Sequence, residues 1–322
     1  MGTLTITSKT HGDWLKSREK GIGSSEVATI LGLNPWDTPY QLWLRKTGRV
    51  QVTEQENFLM KAGHYLEDAI SHFCADEAGL DIVKSSASKF VVVDKEKPFM
   101  RVSPDRYAYY KGAKKSNDNK VIIECKSTQK SIDADDLPEH WFCQVVYQMR
   151  VTGIRNAYLA WLTQGRDFGT QLISYDKAVD FADAMAEEVE KFWVDCVVGG
   201  REPALLNIQD VLIRFPRHTE GKKVFASDEI IQKWADLKDT NEQIKRLQSL
   251  KDSLEENIKA VMLDAETLVI PADNNTPEKY LATWKAPKPS QKFDLDTFKA
   301  AEPEMYAKYL KEVQGTRRFS LK

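Results

Sequence analysis

Apolar residues in the first 200 positions recur at helical spacing in some stretches and at strand spacing in others. Helical spacing, bounded by Gly, Pro, Ser or Thr, occurs in "GSSEVATILGL" (23–33), "TPYQLWLRKTG" (38–48), "NFLMKAGHYLEDAISHFCADEAG" (57–79) and "PEHWFCQVVYQMRVTG" (138–153). Strand patterns occur in "KFVVVD" (89–94), "FMRVSPD" (99–105), "KVIIECKST" (120–128) and "AYLAWLT" (157–163). A further helix is expected to end at Gly199. The pattern predicts a mixed α/β region.

Beyond residue 200 the pattern changes, so we expect a core at residues 1–200 and a mainly helical extension at 201–322. An apolar stripe runs through a stretch too long for an ordinary globular helix: Ile230, Leu237, Ile244, Leu247, Leu254, Ile258 and Val261. It predicts a helical hairpin or coiled-coil arm. Packing of this stripe on its own domain is favoured over a partner-binding arm. A β-hairpin, a helix at 293–313 and an extended end follow.

The charge balance limits how the protein could bind a nucleic acid. The chain has 322 residues, of which 42% are hydrophobic, enough for a substantial core. Its 46 basic and 48 acidic residues give a net charge of −2. Overall charge therefore neither indicates nor excludes DNA, and a nucleic-acid partner would need a local basic patch.

The cysteines and the N-terminus bear on the compartment. Four cysteines are spread along the chain without a CxxC pair, at positions 74, 125, 143 and 196. This spacing argues against a zinc knuckle, an iron–sulfur cluster or a disulfide framework, and predicts buried thiols. No signal-peptide pattern and no apolar run of membrane-spanning length is present. We therefore expect a soluble cytoplasmic protein with no membrane partner.

The strand "KVIIECKST" carries an acid and a base at alternate positions. Residues two apart in a strand point to the same face, so Glu124 and Lys126 should emerge together while Cys125 turns inward with Ile123. A hairpin through residues 109–119 would bring Asp105, from "SPD", beside Glu124. Two converging carboxylates suit a hard divalent cation such as Mg²⁺. The lysine could hold or deprotonate an attacking water, or stabilise charge on a phosphoryl group.

Each of these signals alone is also typical of ordinary structure. Pro-Asp is a common turn former, and Glu-x-Lys on a strand is often an exposed ion pair. Their order, Pro-Asp, a hairpin and then Glu-x-Lys, resembles the PD-(D/E)xK nuclease pattern. With "GIGSSEVATILGLNPWDTPYQLWLRKTG", "GHYLED" and "QVVYQMRVTG", residues 10–200 resemble the YqaJ-type viral recombinases, which include the lambda-type exonucleases. The longer stretch between Asp105 and Glu124 departs from that pattern and is interpreted as an enlarged hairpin.

The resemblance implies a restriction-endonuclease-like fold, a central mixed sheet flanked by helices. It implies Asp105, Glu124 and the main-chain carbonyl of Cys125 as metal ligands, and Lys126 as the catalytic lysine. The supporting positions match Glu67 and Gln144, which would otherwise be assigned to helix surfaces. The positions that hold a terminal phosphate match Arg18, Ser25 and Ser103. Taken alone, Ser25 could equally be a helix cap.

The function implied is Mg²⁺-dependent degradation of one strand of linear duplex DNA from its 5′ end, with Mn²⁺ as a substitute metal, for single-strand-annealing recombination. The family further implies a homotrimeric ring, a 5′-phosphorylated DNA end, a single-strand annealing protein as partner, and a phage or prophage protein of the bacterial cytoplasm. Two alternatives stay open: a PD-(D/E)xK endonuclease that cuts internally, and a catalytically silent DNA-binding scaffold.

Aromatic residues near the predicted DNA-entry helices are further candidates. Trp36, Tyr40 and Trp43 could contact a base, although aromatic side chains at this spacing usually lie in a core. The five histidines have no metal-ligand spacing and are assigned no role.

Overall fold

The computed structural model describes residues 2–7, 11–50, 58–83, 90–273, 276–313 and 315–322. Contacts between residues divide the chain into two units, Met1–Arg214 and Phe215–Lys322. Residues 201–214 cluster with the first unit because Asp210 is fully buried there. Its Oδ1 accepts hydrogen bonds from Thr38 Oγ1 and Gln41 Nε2, each at 2.9 Å.

The helices of the first unit were predicted in part: those at 27–30, 39–46, 58–78 and 139–152 and the one before Gly199 were expected, whereas those at 11–19 and 208–214 were not. They are α1 (His11–Glu19), α2 (Val27–Ile30), α3 (Pro39–Lys46), α4 (Phe58–Ala78), α5 (Glu139–Thr152), α6 (Val179–Lys191) and α7 (Ile208–Arg214). Thr38 caps α3 by accepting a hydrogen bond from the N–H of Gln41 at 3.2 Å. Gly153 ends α5 with φ of 73°, a left-handed conformation that favours glycine. A π-helical segment, Phe192–Val198, continues α6.

Within the described residues of the first unit, the strands form two sheets rather than one. They are β1 (Thr3–Thr7), β2 (Ile22–Gly23), β3 (Leu80–Ile82), β4 (Phe90–Asp94), β5 (Met100–Val102), β6 (Arg106–Tyr110), β7 (Lys120–Thr128), β8 (Asn156–Thr163) and β9 (Asp167–Ser174). The first sheet has the order β1-β4-β5-β2, and the second has the order β3-β6-β7-β8-β9. In the second sheet only the β7–β8 pair is parallel, so the predicted mixed α/β class is confirmed.

Strand β7 lies at the centre of the second sheet, with a hydrophobic cluster on each face. Ile122 belongs to the cluster that includes Val146 of α5, whereas Ile123 and Cys125 belong to the cluster that includes Ile70 of α4. Helices therefore flank the sheet on both faces, as predicted. All four cysteines are buried free thiols, which confirms that expectation.

One strand was predicted with the wrong extent. The stretch 99–105 was expected to form a strand ending at Asp105, but β5 ends at Val102 and belongs to the first sheet. The chain then turns through Ser103 and Pro104, and the unpredicted strand β6 begins directly after Asp105. Because proline cannot donate a main-chain hydrogen bond, it suits a break between two sheets.

The second unit contains the longest helix. Helix α8 (Asp228–Met262) runs unbroken for 35 residues, so the apolar stripe lies on one helix and not on a helical hairpin. Ser227 caps it, accepting from the N–H of Ile230 at 3.5 Å. The predicted β-hairpin is present as β10 (Thr267–Ile270) and β11 (Lys279–Thr283), which pair antiparallel. Two short helices, α9 (Leu295–Ala301) and α10 (Pro303–Lys308), replace the single helix expected there.

The expectation that the stripe packs on its own domain is wrong. Its seven apolar side chains are between 39% and 73% exposed.

Among the described helices, none is both long and apolar enough to cross a membrane.

Candidate active site

The hairpin of β6 and β7 places the first two acidic candidates side by side. Arg106 pairs with Ile123 in the antiparallel register, so Asp105 lies opposite Glu124. The Asp105 Oδ2 atom accepts a hydrogen bond from the Cys125 N–H at 2.8 Å. This contact fixes the Asp105 carboxylate against β7.

The Glu124 carboxylate is buried within a polar cluster, and only 1% of the residue is exposed. Its Oε1 accepts from Lys126 Nζ at 2.8 Å and from Gln144 Nε2. Its Oε2 accepts from Gln148 Nε2 at 2.8 Å. Lys126 Nζ also donates to Gln144 Oε1 at 2.8 Å. Gln148 Nε2 lies 3.3 Å from Ser24 Oγ, which links the cluster to the turn before α2.

Burial sets the electrostatics of this cluster. Burial and the negative charge of Glu124 raise the pKa of Asp105 well above its ordinary value, although Lys126 opposes the shift. Burial acts to lower the pKa of Lys126, but the charges of Glu124 and Asp105 outweigh it, so the pKa of the ammonium is raised. Asp105 therefore resists ionisation beside the Glu124 carboxylate, and the lysine is held as a cation.

The oxygen donors of the site fit a hard divalent cation, but the protein offers few of them. In the described part of the chain, no group of three or more His, Cys, Asp and Glu side chains is arranged to hold a metal ion. The candidate ligands are the carboxylates of Asp105 and Glu124 with the main-chain carbonyl of Cys125. All are oxygen donors, which Mg²⁺ prefers, and a cation would relieve the repulsion that raises the Asp105 pKa.

Glu67 lies at the edge of the same site. Its Oε1 lies 2.8 Å from His64 Nδ1, and its Oε2 accepts from Arg106 Nη1 at 3.4 Å. Arg106 also donates to Asp68 Oδ1 at 2.6 Å, a contact that lowers the pKa of Asp68. Arg106 therefore ties α4 to the beginning of β6 and holds Glu67 near Asp105.

The three phosphate-binding candidates also come together. Arg18 Nη2 donates to Ser25 Oγ at 2.9 Å, and the Arg18 guanidinium lies 4.9 Å from the ring centroid of Trp14. Trp14 Nε1 donates to Ser103 Oγ at 3.3 Å. Ser103 Oγ in turn donates to the carbonyl of Phe90 at 2.8 Å. Side chains from α1, the turn before α2 and the β5–β6 connection thus form one polar surface.

One cavity of about 380 Å³ is lined both by the phosphate-binding candidates and by residues of the acidic cluster. Its lining includes the phosphate candidates and members of the acidic cluster, namely Arg18, Ser25, Ser103, Glu67, Asp105 and Gln144. The opening is thus lined by a cation and hydroxyls together with carboxylates, which is the chemistry needed to hold a phosphate beside a metal site.

Three residues of the site, Gln148, Trp14 and Ser24, were not predicted from the sequence, although helical spacing indicates two of them. Gln148 lies four residues after Gln144 on α5, and Trp14 lies four residues before Arg18 on α1, so each shares a helix face with a candidate. Ser24 had no comparable signal, because its contact with Gln148 depends on how α2 packs against α5.

The aromatic candidates separate into core and surface. Tyr40 and Trp43 are 2% and 1% exposed and pack in the core, as is usual for that spacing. Trp36 is 72% exposed.

Known structures and sequences resemble this chain to different degrees. An alkaline exonuclease from Laribacter hongkongensis is 16% identical with a TM-score of 0.43, covering 58% of this chain and 93% of that one. A phage-related exonuclease from Haemophilus somnus is 13% identical with a TM-score of 0.35, covering 56% and 96%.

A comparison of sequences finds a relative with higher identity over more of the chain than these structures have. Residues 13–155 match the family described as the YqaJ-like viral recombinase domain. The uncharacterized protein YqaJ of Bacillus subtilis (strain 168) is 33% identical over 323 residues, covering 96% of this chain and 93% of that protein. Because the likeness extends along nearly the whole of both chains, this protein belongs to the YqaJ family of viral recombinases.

Proposed function

We propose that this protein is a Mg²⁺-dependent exonuclease that degrades the 5′-ended strand of linear duplex DNA. Membership of a viral recombinase family supports a nuclease function. The observation that carries the specific proposal is the single cavity in which Arg18, Ser25 and Ser103 face Asp105 and Gln144. A terminal phosphate held by the first group would place the next phosphodiester toward the second.

Arg18 is the residue that would recognise the DNA end. Its guanidinium can donate two parallel hydrogen bonds to phosphate oxygens, a geometry that a lysine cannot reproduce. Contacts with Ser25 and the Trp14 ring already orient this side chain, so less rotamer freedom is lost on binding. Hydroxyls at Ser25 and Ser103 add hydrogen-bonding groups around the same phosphate.

Asp105, Glu124 and the Cys125 carbonyl would hold the Mg²⁺ ion. When bound, Mg²⁺ polarises a phosphoryl oxygen and makes a water molecule more acidic, and Mn²⁺ can substitute because it also accepts oxygen ligands. Gln144 and Gln148 orient the Glu124 carboxylate, because both donate to it from one face of α5. Glu67, which accepts a hydrogen bond from Arg106, would support the metal site from its edge.

Lys126 would act as a hydrogen-bond donor and a positive charge. Two of its three N–H bonds point to Glu124 Oε1 and Gln144 Oε1. Its raised pKa favours the protonated ammonium. This state suits donation to a phosphoryl oxygen that gains charge during cleavage better than it suits removal of a proton from water.

The proposal extends to assembly and biological role through the resemblance to lambda-type enzymes. It includes a homotrimeric ring, a single-strand annealing protein as partner, 3′ single-stranded products for recombination, and action in the cytoplasm of a bacterial host.

Polarity and metal dependence can be tested on end-labelled DNA. With Mg²⁺, linear duplex carrying a 5′ phosphate should lose its 5′ label before its 3′ label, and with EDTA both labels should persist. Covalently closed circular duplex should stay intact. Early loss of the 3′ label would contradict the polarity, and cleavage of the closed circle would favour the endonuclease alternative.

The phosphate pocket can be tested through Arg18→Ala, with Lys16→Ala on the same helix as a charge-matched control. The wild type should digest 5′-phosphorylated duplex faster than 5′-hydroxyl duplex in single turnovers. Arg18→Ala should lose a preference of about ten- to hundredfold, since a charge-assisted contact is worth roughly 1.5–3 kcal/mol. Lys16→Ala should keep it. An Arg18→Ala variant that retains the preference would place the pocket elsewhere.

A further inference from the structure

Trp36 presents a large aromatic ring to solvent from a loop that is firmly held. Its backbone N–H donates to Asn34 Oδ1 at 3.0 Å, and Asn34 Nδ2 donates to the buried Thr29 Oγ1 at 2.9 Å. Thr29 Oγ1 also donates to Asp37 Oδ2 at 3.3 Å, and Arg45 Nη1 donates to Asp37 Oδ1 at 3.1 Å. The loop between α2 and α3 is thus fixed on both helices, although it leaves Trp36 72% exposed.

The Trp36 ring stands edge-to-face with His140. Their ring centroids are 5.1 Å apart, with an angle of 86° between the ring planes. His140 also contacts Trp141, at 5.8 Å and 64°. In such an arrangement the edge of one ring contacts the face of the other. The ring that contributes its edge therefore keeps both of its own faces free of its partner. Trp36 is 72% exposed and His140 is half-buried, so the pair can accept another flat ring from the solvent side.

The pair stands beside the proposed cleavage site. His140 and Gln144 are four residues apart on α5, so they share one face about 6 Å apart along the helix axis. Gln144 Oε1 accepts from Lys126 Nζ at 2.8 Å. Burial, followed by the charges of Lys126 and Lys130, lowers the pKa of His140, which agrees with this proximity.

The surroundings match the requirements of single-stranded DNA better than those of an apolar partner. Proteins that hold single strands combine aromatic rings, on which bases stack, with positive charge for the phosphates. Here the Trp36 ring contacts His140, which shares a helix face with Gln144, and Gln144 accepts a hydrogen bond from the cation Lys126. A base inside a duplex is already stacked on its neighbours, so only an unpaired base is free to occupy the site.

We propose that Trp36 and His140 form a stacking site for an unpaired nucleobase of the DNA strand being degraded, next to the phosphodiester held at Asp105 and Glu124. This inference rests on the proposed function. The site holds the separated 5′-ended strand and is tolerant of sequence, since every base has an aromatic face.

Binding without cleavage tests the site directly. The probe is a 5′-phosphorylated duplex whose first three nucleotides are unpaired. It is used either intact or with one abasic nucleotide at position one, two or three. Binding is measured by fluorescence anisotropy in EDTA, so that no cleavage occurs. For the wild type, one abasic position should weaken binding. Trp36→Ala should weaken binding of the intact probe by about five- to 150-fold, the range expected for one stacked base. It should also abolish the abasic penalty, because the two changes remove the same contact.

Matched variants separate stacking from general effects. Trp36→Phe should keep most of the affinity, and His140→Ala should lose part of it. Trp284→Ala, which removes a 47% exposed tryptophan from the second unit, should bind like the wild type. If Trp36→Ala fails to fold, Trp36→Phe and His140→Ala tested against the abasic series still decide the question.

The outcomes distinguish this inference from the proposed function. Suppose the wild type cleaves duplex ends, but Trp36→Ala binds the probe as tightly as the wild type or keeps the abasic penalty. That result would overturn the stacking site alone, and the exposed Trp36 ring would then be assigned to a contact with another protein. Trp36-dependent binding of the probe by a wild type that cleaves no DNA would support the stacking site and overturn the nuclease proposal.

Discussion

The two units of this protein treat polar and apolar side chains in opposite ways. In the first unit, Glu124 and Gln148 are 1% and 0% exposed and are joined by a hydrogen bond. In the second unit, α8 leaves its apolar stripe largely in water. Buried polar groups cost free energy unless they are paired, and such clusters often mark function. An exposed apolar stripe offers a surface but no chemistry. The comparison therefore assigns the reaction to the first unit.

Removing a carboxylate from the buried cluster should have the largest effect. Asp105→Ala or Glu124→Ala should reduce cleavage to background while largely sparing DNA binding, because binding depends mainly on phosphate contacts. Glu255→Ala on α8, which removes an exposed carboxylate paired with Lys259, should leave cleavage unchanged. Near-normal turnover by either cluster variant, measured on labelled duplex, would contradict the assignment.

A glutamine in each unit offers a second contrast. Gln148→Leu removes a buried hydrogen bond to Glu124 and should lower the free energy of unfolding by about 1.5 kcal/mol, as well as weakening Mg²⁺ binding. The loss is at the lower end of the range for a hydrogen bond to a charged group, because the substitution also removes the buried, unpartnered Gln148 Oε1 atom. Gln243→Leu breaks an exposed contact with Asp239 and should change stability by less than about 0.5 kcal/mol. Equal effects by denaturant titration would argue against a positioning role for Gln148.

The pH dependence of stability gives a third contrast. Because the folded-state pKa of Asp105 is raised, its neutral form stabilises the fold below its ordinary pKa, and that contribution is lost as pH rises through the folded pKa. Without divalent cations, Asp105→Asn should thus be more stable than the wild type near pH 7, with a smaller difference near pH 4. Mg²⁺ should stabilise the wild type but not the variant. Asp252→Asn on α8 is the control. A difference that does not vary with pH would show that Asp105 ionises normally.

The smallest effect is expected on the stripe. Leu247→Ala should change the free energy of unfolding by less than about 0.5 kcal/mol, whereas Met149→Ala, in the core of the first unit, should cost about 2–5 kcal/mol. Low protein concentration is needed, because any association through α8 would couple stability to concentration. A cost at Leu247 comparable with that at Met149 would show that the stripe is buried.

The sequence determined features that depend on near neighbours along the chain. Alternation in β7 placed Glu124 and Lys126 on one side and Ile123 and Cys125 on the other, and the structure shows that separation. The nearness of Asp105 to Glu124 was predictable because segments that follow one another in the chain usually pair, although the extent of β6 was not predicted. The helix ends at Thr38 and Gly153 followed from local backbone chemistry.

The tertiary structure alone decided features that depend on distant segments. Ser103 lies 85 positions after Arg18 in the sequence, yet both line one cavity, and Gln148 meets Ser24 across 124 positions. Local periodicity also could not show whether an aromatic residue would be covered: Trp43 on α3 is 1% exposed, whereas Trp36, seven positions earlier in the loop before α3, is 72% exposed. The same reason explains α8. Spacing predicts which face of a helix is apolar, but burial of that face requires a partner surface that only the folded chain reveals.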